Sequence, residues 1–155
     1  MTKFYTYFLI IFIGFFFISC DNKKSFIYKF TNDQWDFQKD TIQFTYDVDK
    51  IGAKYDVSLF LRNNLNYSYR NIYMFVEILH LNNIILTDTI QYAITDKYGR
   101  WYGKGIGDTR DNYFLFESNM SFPQTGTYTF NIRHGMRTNP LLGCNRIGLK
   151  ISEND

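Results

Sequence analysis

The sequence is poor in the residue types on which many functional sites depend. Its 155 residues include only two cysteines, two histidines and two prolines. Two cysteines cannot form the disulfide framework of a small secreted domain, and two histidines without a third ligand at a fixed spacing are weak evidence for a metal site. Scarce proline and modest glycine exclude disordered and collagen-like chains. The chain therefore has the length and composition of one ordinary globular domain.

Charge and reactive groups are equally sparse. The formal net charge of +2 gives no electrostatic case for a nucleic-acid partner, and none is expected. His80 and His134 lie on different predicted strands, and Cys144 stands in a turn context with no base nearby in the sequence. A hydrolase would require the two histidines to meet in a cleft with an acid. We therefore expect no enzyme and no cofactor.

The amino-terminal residues have the pattern of a bacterial lipoprotein leader. Lys3 is the only charge before an apolar run over residues 4–18, which ends at Ser19-Cys20. A run of about 15 residues is shorter than the roughly 20 that a membrane-spanning helix needs. The pattern predicts that residues 1–19 are a signal peptide and that Cys20 is lipidated. The alternatives are an uncleaved anchor helix and an ordinary signal peptide with a chance cysteine.

Lipidation at Cys20 predicts the organisation of the mature chain. Residues 20–25 would be the lipidated cysteine and a tether, and residues 26–155 one domain. Its location would be the cell envelope, attached to a membrane by the acyl chains, with the outer membrane favoured. Cys144 would then have no intrachain partner, so the stability of the domain must come from an apolar core.

Almost everything after the tether alternates with the period of a β-strand. Ile42, Phe44, Tyr46 and Val48 share one face of a typical segment. The predicted strands cover residues 26–30, 41–48, 55–61, 72–81, 84–94, 113–122, 127–134 and 146–151. The continuous apolar run 72–81 predicts a strand covered on both sides, followed by an Asn82-Asn83 turn. We expect an all-β, antiparallel two-sheet β-sandwich, immunoglobulin-like or of jelly-roll type, with about eight strands.

Residues 95–112 form the exception, because they contain four glycines and show no strand periodicity. Long loops in compact domains are often functional. The loop lacks the following helix that a phosphate-binding glycine loop needs, and Asp108 with Asp111 supplies too few oxygens for calcium. Its surface candidates for a protein partner or a glycan are Arg100, Trp101, Tyr102, Lys104 and Asp108. The alternative is that Trp101 folds back to cap the sandwich.

Three further residues carry predictions. Thr41 and Thr89 follow aspartate and precede isoleucine, as in the O-glycosylation pattern of Bacteroidetes envelope proteins, and are candidate acceptor sites. His134 is in phase with the apolar residues of strand 127–134. It is therefore predicted to be a structural histidine that is hydrogen-bonded to backbone near Gly135.

The chain resembles a known family over most of its length. The stretches that carry the resemblance are Y-D-V-S-L-F-L-R-N-N from Tyr55, G-R-W-Y-G-K-G-I-G-D from Gly99 and F-P-Q-T-G-T-Y-T-F-N-I-R-H-G-M-R from Phe122. They are similar to the gliding-motility lipoprotein family GldH of Bacteroidetes. The resemblance implies a non-enzymatic, lipid-anchored component of the gliding machinery, associated with type IX secretion, whose partners are other gliding or secretion proteins. The alternative function is a surface glycan-binding lipoprotein.

Overall fold

The computed structural model describes residues 23–39 and 41–154, and the predicted signal peptide and Cys20 lie outside them. The described chain is all-β, apart from one short 3-10 turn at Thr31–Asp33. Its strands are β1 (Lys23–Lys29), β2 (Gln34–Trp35), β3 (Ile42–Val48), β4 (Lys54–Asn64), β5 (Asn71–His80), β6 (Asn83–Ala93), β7 (Thr109–Met120), β8 (Gly126–His134), β9 (Leu141–Leu142) and β10 (Cys144–Asn154). Within the described residues no helix is long and apolar enough to cross a membrane.

The eight long strands form two antiparallel four-stranded sheets. Sheet A has the order β1-β10-β4-β7 and sheet B the order β3-β8-β5-β6, while β2 and β9 form a separate two-stranded ladder. The first long strand therefore pairs with the last, the second with the seventh, the third with the sixth and the fourth with the fifth. This is one long hairpin wound into a sandwich, which is the jelly-roll topology. The sandwich prediction is confirmed, and of its two variants the strand order selects the jelly roll.

The alternation of side chains builds the core, as expected. Ile42, Phe44, Tyr46 and Val48 of β3 are buried, and the residues between them are exposed. On β5, however, only alternate residues are buried, and Tyr73 and Phe75 are 39% and 38% exposed. The prediction that this strand is covered on both sides is thus wrong. Within residues 23–39 and 41–154, no helix or third sheet covers the outer face of sheet B, so Tyr73 and Phe75 are partly exposed there.

The two ends of the sandwich differ in what they carry. We call the end where β1 begins the bottom, and it comprises Lys23, the loops 49–53, 81–82 and 121–125, and Asn154. The opposite end, the top, comprises residues 31–39, 65–70, 94–108 and 135–143. The eleven-residue strands β4 and β10 connect the two ends, and they span about 35 Å at roughly 3.3 Å per residue.

The bottom is closed from inside by aromatic rings of both sheets. Phe122 packs on Tyr55 of sheet A at 5.3 Å and on Tyr128 of sheet B at 4.5 Å between ring centroids. Tyr46 lies 5.9 Å from Tyr55. Burial raises the pKa of Tyr46 to about 12, so its hydroxyl stays protonated. These rings hold the two sheets together below the loops, and the loop tips themselves are left at the surface.

The turn between β5 and β6 is one residue earlier than the sequence predicts. His80 pairs with Asn83, so the two turn residues are Leu81 and Asn82, with φ of 49° and 63°. Both residues thus adopt the left-handed conformation of a type I′ turn, for which asparagine and glycine are the preferred residues. Leucine is strained there, and its side chain is 75% exposed. The turn was predicted at Asn82-Asn83 because a leucine is not expected at positive φ.

We predict that Leu81→Asn stabilises the fold. Asparagine tolerates the left-handed backbone better than leucine, and the exposed leucine contributes little to the core. The free energy of unfolding should rise by about 0.5–1 kcal/mol and the melting temperature by about 2–5 °C, as measured by urea and thermal denaturation. Leu65→Asn is the control, because Leu65 is also exposed but has no positive φ. Equal effects of the two substitutions would contradict the explanation.

Candidate functional site

The long loop of the top is ordered by backbone pairing with itself and with β7. Thr95 bridges to Trp101, and Lys104 bridges to Asp111 with N–H···O distances of 3.1 and 2.7 Å. The strand after the loop begins at Thr109, four residues before the predicted Tyr113, so the loop is shorter than expected. These first strand residues were not predicted, because Asp111 and Asn112 are residue types that are depleted in strands.

The first half of the loop is a turn built around Asp96. Its carboxylate accepts hydrogen bonds from the backbone N–H groups of Tyr98 and Arg100, at 2.8 and 2.9 Å, and from Arg100 Nε at 2.7 Å. The backbone N–H of Arg100, more than any other contact, lowers the pKa of Asp96. The cationic groups of Lys97 and Arg100 lie 5.0 and 5.7 Å from the centre of the Tyr98 ring. Arg100, one of the predicted surface residues, is therefore already paired within the loop.

Two glycines let the second half of the loop lie directly on β7. A Cβ atom at Gly105 would stand 2.1 Å from the backbone oxygen of Thr109, and one at Gly103 would stand 2.6 Å from Asn112 Oδ1. No side chain fits at either position without moving the backbone. Close packing on β7 thus explains two of the loop's four glycines, whereas Gly99 and Gly107 have positive φ values of 82° and 69° that favour glycine.

An open cleft of about 510 Å³ lies between the loop and β7. Tyr102 and Lys104 line it on the loop side, and Asp111 and Tyr113 line it on the strand side. The two tyrosines are 62% and 68% exposed. Of the predicted surface residues, the structure therefore brings Tyr102 and Lys104 together at one cleft. Tyr113 was not among the predicted surface residues, because it belongs to a strand and reaches the cleft only through sheet pairing.

The remaining predicted surface residues lie elsewhere. Trp101 is half-buried and packs against the hydrophobic core, as the capping alternative describes, so it does not share an exposed platform with Tyr102. Asp108 is exposed at the end of the loop. The two candidate glycosylation sites are both solvent-exposed: Thr41 just before β3, and Thr89 in the edge strand β6.

The charge of Asp111 is neutralised beside the cleft. Its two carboxylate oxygens accept hydrogen bonds from Arg62 Nε and Nη2, at 2.5 and 2.6 Å. This bidentate pair ties β7 to β4 at the top of sheet A. Asp111 is therefore engaged in the sheet and does not join Asp108 in a cation site. Among the described residues, no group of three or more histidine, cysteine, aspartate and glutamate side chains is arranged to hold a metal.

Buried polar side chains concentrate at the top. Five polar residues of the described chain are buried, and all lie at this end or on the strand residues that enter it: Asn63, Asn64, Thr95, Asn112 and His134. Asn112 Nδ2 donates to Leu61 O at 3.1 Å and to Asn63 Oδ1 at 2.8 Å, while its Oδ1 has no hydrogen-bond partner. A buried polar group is costly unless it is fully paired. The top thus departs from the apolar packing that holds the bottom together.

The two histidines do not form a common site. His134 is 2% exposed and packs edge-on against Trp35 and Phe37, at 5.3 and 5.1 Å. Its Nε2 donates to Trp35 O at 3.0 Å, so the structural role is confirmed but the partner lies on β2 instead of near Gly135. His80 stacks on Tyr128 at the opposite end of β8, about 20 Å away by the six-residue separation of their sheet partners.

The second cysteine is sequestered in the core. Cys144 begins β10, is fully buried and forms no disulfide within the described chain. Burial is the main cause that raises the pKa of its thiol, which keeps it protonated and unreactive.

Comparison with known proteins places these features in a family. The family model described as GldH lipoprotein matches residues 25–151. The chain belongs to the GldH lipoprotein family. A gliding motility lipoprotein GldH homolog of Christiangramia forsetii is 29% identical over 164 aligned positions, which cover 100% of this chain and 99% of that protein. The gliding motility lipoprotein GldH of Flavobacterium johnsoniae is 26% identical and is matched over 88% of this chain and 89% of its own.

Among solved structures, this GldH family member aligns with part of a carbohydrate-active enzyme. A 4-O-methyl-alpha-glucuronidase aligns with 85% of this chain at 13% identity and a TM-score of 0.42, and the match covers 14% of the enzyme. The family match spans both sheets, the loop of the top and the cleft beside it. The strand order and the geometry of the top, described above, are therefore features of a GldH lipoprotein.

We predict that His134 makes this GldH protein less stable in mild acid. Burial lowers the pKa of His134 below its unfolded value, so the unfolded chain binds the proton more readily. The free energy of unfolding should fall as the pH falls from about 7.5 through the unfolded histidine pKa of about 6.5 towards 5. His134→Gln, which keeps an N–H donor towards Trp35 O, should flatten this dependence in urea denaturation.

The matched control for this measurement is His80→Gln, which removes the histidine at the other end of β8. It should retain the pH dependence of the parent chain. A His134→Gln chain with the parent's slope between pH 5 and 7.5 would show that another group titrates in this window.

Proposed function

We propose that the protein is a non-enzymatic, lipid-anchored component of the gliding machinery, associated with type IX secretion. The single observation that carries this proposal is the family match over residues 25–151, with full-length relatives named gliding motility lipoproteins. The leader pattern supports residues 1–19 as a signal peptide and Cys20 as the lipidated residue, with the outer membrane as the favoured site. The domain, whose first strand begins at Lys23 and not at the predicted residue 26, would then act through contacts with other gliding or secretion proteins.

The top of the sandwich is the surface that best suits such contacts. It carries the long ordered loop, the cleft and all five buried polar side chains of the described chain. Natural sequences depart from locally optimal packing mainly where function requires it. Ile106, which is 95% exposed at the tip of the loop, and Tyr102, 62% exposed at the cleft, are apolar or aromatic groups of the kind enriched in protein interfaces.

A glycan-binding function is the second candidate, and the cleft is the observation that favours it. Its two exposed tyrosines, Tyr102 and Tyr113, provide ring faces for a sugar, and Lys104 provides a hydrogen-bond donor. The exposed Thr41 and Thr89 remain proposed sites of O-glycosylation on the protein itself. Peptide mapping by mass spectrometry of the protein from its own envelope would identify a glycan on either threonine.

We predict that loss of the anchor abolishes the function. In a gliding bacterium that carries this gene, its deletion should abolish colony spreading, and the wild-type gene should restore it. Cys20→Ser should not restore spreading, because the chain would receive no acyl label and would be left in an uncleaved or a soluble form. Wild-type spreading of the deletion strain would overturn the gliding role. Normal acyl labelling and membrane retention of the Cys20→Ser chain would overturn the lipidation site.

We predict that substitutions at the top separate the two candidate functions. Ile106→Asp should lower recovery of envelope proteins cross-linked to the chain by about tenfold or more, the effect of losing an interface hot spot. Tyr102→Ala should abolish binding on a glycan array if the cleft holds a sugar. Tyr98→Ala is the control, because Tyr98 is 72% exposed but lies on the Asp96 turn, outside the cleft. Unchanged cross-linking of Ile106→Asp would argue against the top as the partner surface.

A further inference from the structure

The bottom of the sandwich exposes apolar side chains at its loop tips. Ile51, between β3 and β4, is 69% exposed, and Leu81, between β5 and β6, is 75% exposed. Ile84, at the start of β6, is 60% exposed. Single exposed apolar residues are ordinary on protein surfaces. Here, however, the two most exposed apolar residues of the bottom, Ile51 and Leu81, lie at the tips of two separate loops. Both loops extend from the same end of the core.

The strained turn shows that folding does not require a leucine at position 81. The side chain is largely in solvent, and its positive φ of 49° costs free energy that asparagine or glycine would reduce. Backbone strain at an exposed position points to a role outside folding. Leu81 is therefore an apolar residue at a loop tip, in a backbone conformation that leucine disfavours. Its exposed side chain is suited to contact with an apolar phase.

The position of the anchor identifies that phase. Only Asp21 and Asn22 separate Cys20 from Lys23, the first residue of β1. Three residue steps span at most about 11 Å of extended chain. Lys23 is fixed at the bottom because β1 pairs along its whole length with β10, from Lys23 with Ser152 to Lys29 with Arg146. An acyl group on Cys20 would therefore keep the bottom within about one headgroup layer of the bilayer.

The charges of the bottom are mixed and permit such a contact. Basic and acidic groups both face this end: Lys23, Lys24, Lys50, Lys54, Asp47, Asp49 and Glu153. Lys50 donates to Glu153 at 2.9 Å, and Lys24 lies 5.1 Å from the Tyr46 ring. The bottom is thus not a polybasic surface that would select anionic lipids by charge. The apolar loop tips are the feature that favours a membrane over water.

We propose that the bottom of the domain lies on the bilayer, with Ile51 and Leu81 inserted at the level of the lipid headgroups. This inference rests on the proposed lipid anchor at Cys20. Two side chains alone would bind a membrane only weakly, but a tether of two residues keeps them at a high local concentration next to it. The domain then stands upright on the membrane, and the top, with its loop and cleft, is held about 35 Å above the surface.

Site-specific fluorescence on the full-length chain tests the contact. A polarity-sensitive dye is attached to Ile51→Cys, to Leu81→Cys or to Ile106→Cys at the top, in acylated protein reconstituted into neutral phosphatidylcholine vesicles. Cys144 is fully buried, and the thiol of an acylated Cys20 is blocked, so the dye reports the introduced cysteine. We expect a blue shift and quenching by spin-labelled lipid at residues 51 and 81, and neither at residue 106.

Asparagine substitutions separate the contact from the anchor. With the dye at Thr125→Cys, another exposed residue of the bottom, the double substitution Ile51→Asn and Leu81→Asn should abolish quenching although the chain stays folded and acylated. Dyes at residues 51 and 81 that are no more quenched than the dye at residue 106 would overturn the proposal. Quenching at residue 125 that survives the double substitution would show that the bottom lies near lipid without insertion of these side chains.

The lipid anchor is scored independently, by the mass of the amino-terminal peptide. If Cys20 carries no acyl group, the proposed anchor fails, whereas the docking surface is still measurable. An amino-terminal histidine tag then holds the same full-length chains, with Cys20→Ser added so that the dye still labels only the introduced cysteine, on vesicles that contain a nickel-chelating lipid. Quenching at residues 51 and 81, but not at residue 106, would then support the bottom as a membrane-docking surface even without the anchor. If the dyes at residues 51 and 81 are not quenched, the docking surface is overturned as well.

Discussion

The pairing of the first strand with the last determines how this molecule is oriented. β1 and β10 form a ladder from Lys23 with Ser152 to Lys29 with Arg146, and β10 pairs in turn with β4. The amino terminus of the domain is thereby fixed at one end of eleven-residue strands whose other end carries the long loop. Without this ladder, an anchor at Cys20 would tether the domain but would not decide which end faces the membrane.

The two ends are stabilised by different interactions, and the difference matches their proposed roles. Rings of both sheets, centred on Phe122, close the bottom by apolar packing, which needs no specific partners. At the top, hydrogen bonds of buried side chains and the Arg62–Asp111 pair fix the loop and the cleft. Buried polar groups tolerate few alternative arrangements, so they give a surface one defined geometry. A defined surface is what a protein or glycan partner requires.

Local patterns were sufficient to predict the eight long strands and the burial of residues that follow the alternation of a strand. His134 is buried because it shares a face with Tyr128 and Ile132, and the sequence shows this directly. Its partner, Trp35 O, is 99 residues away in the chain and was not predictable. The two-residue strands β2 and β9 were missed for the same reason, since neither is long enough to show a period. Leu81 was missed because tertiary pairing overrides turn preference there.

The sequence alone determined the all-β class and the family resemblance, and it predicts the leader with its cysteine, because each depends on local composition or on short motifs. Only the tertiary structure decided between the immunoglobulin-like and jelly-roll arrangements, and only it brought Tyr113 to Tyr102 at one cleft. It also placed Lys23, the first residue of β1, and the long loop at opposite ends of the sandwich. These features depend on which distant strands pair with one another. The alternation of apolar and polar residues does not identify the partner strands, because it is the same for every pairing that keeps one face of the strand buried.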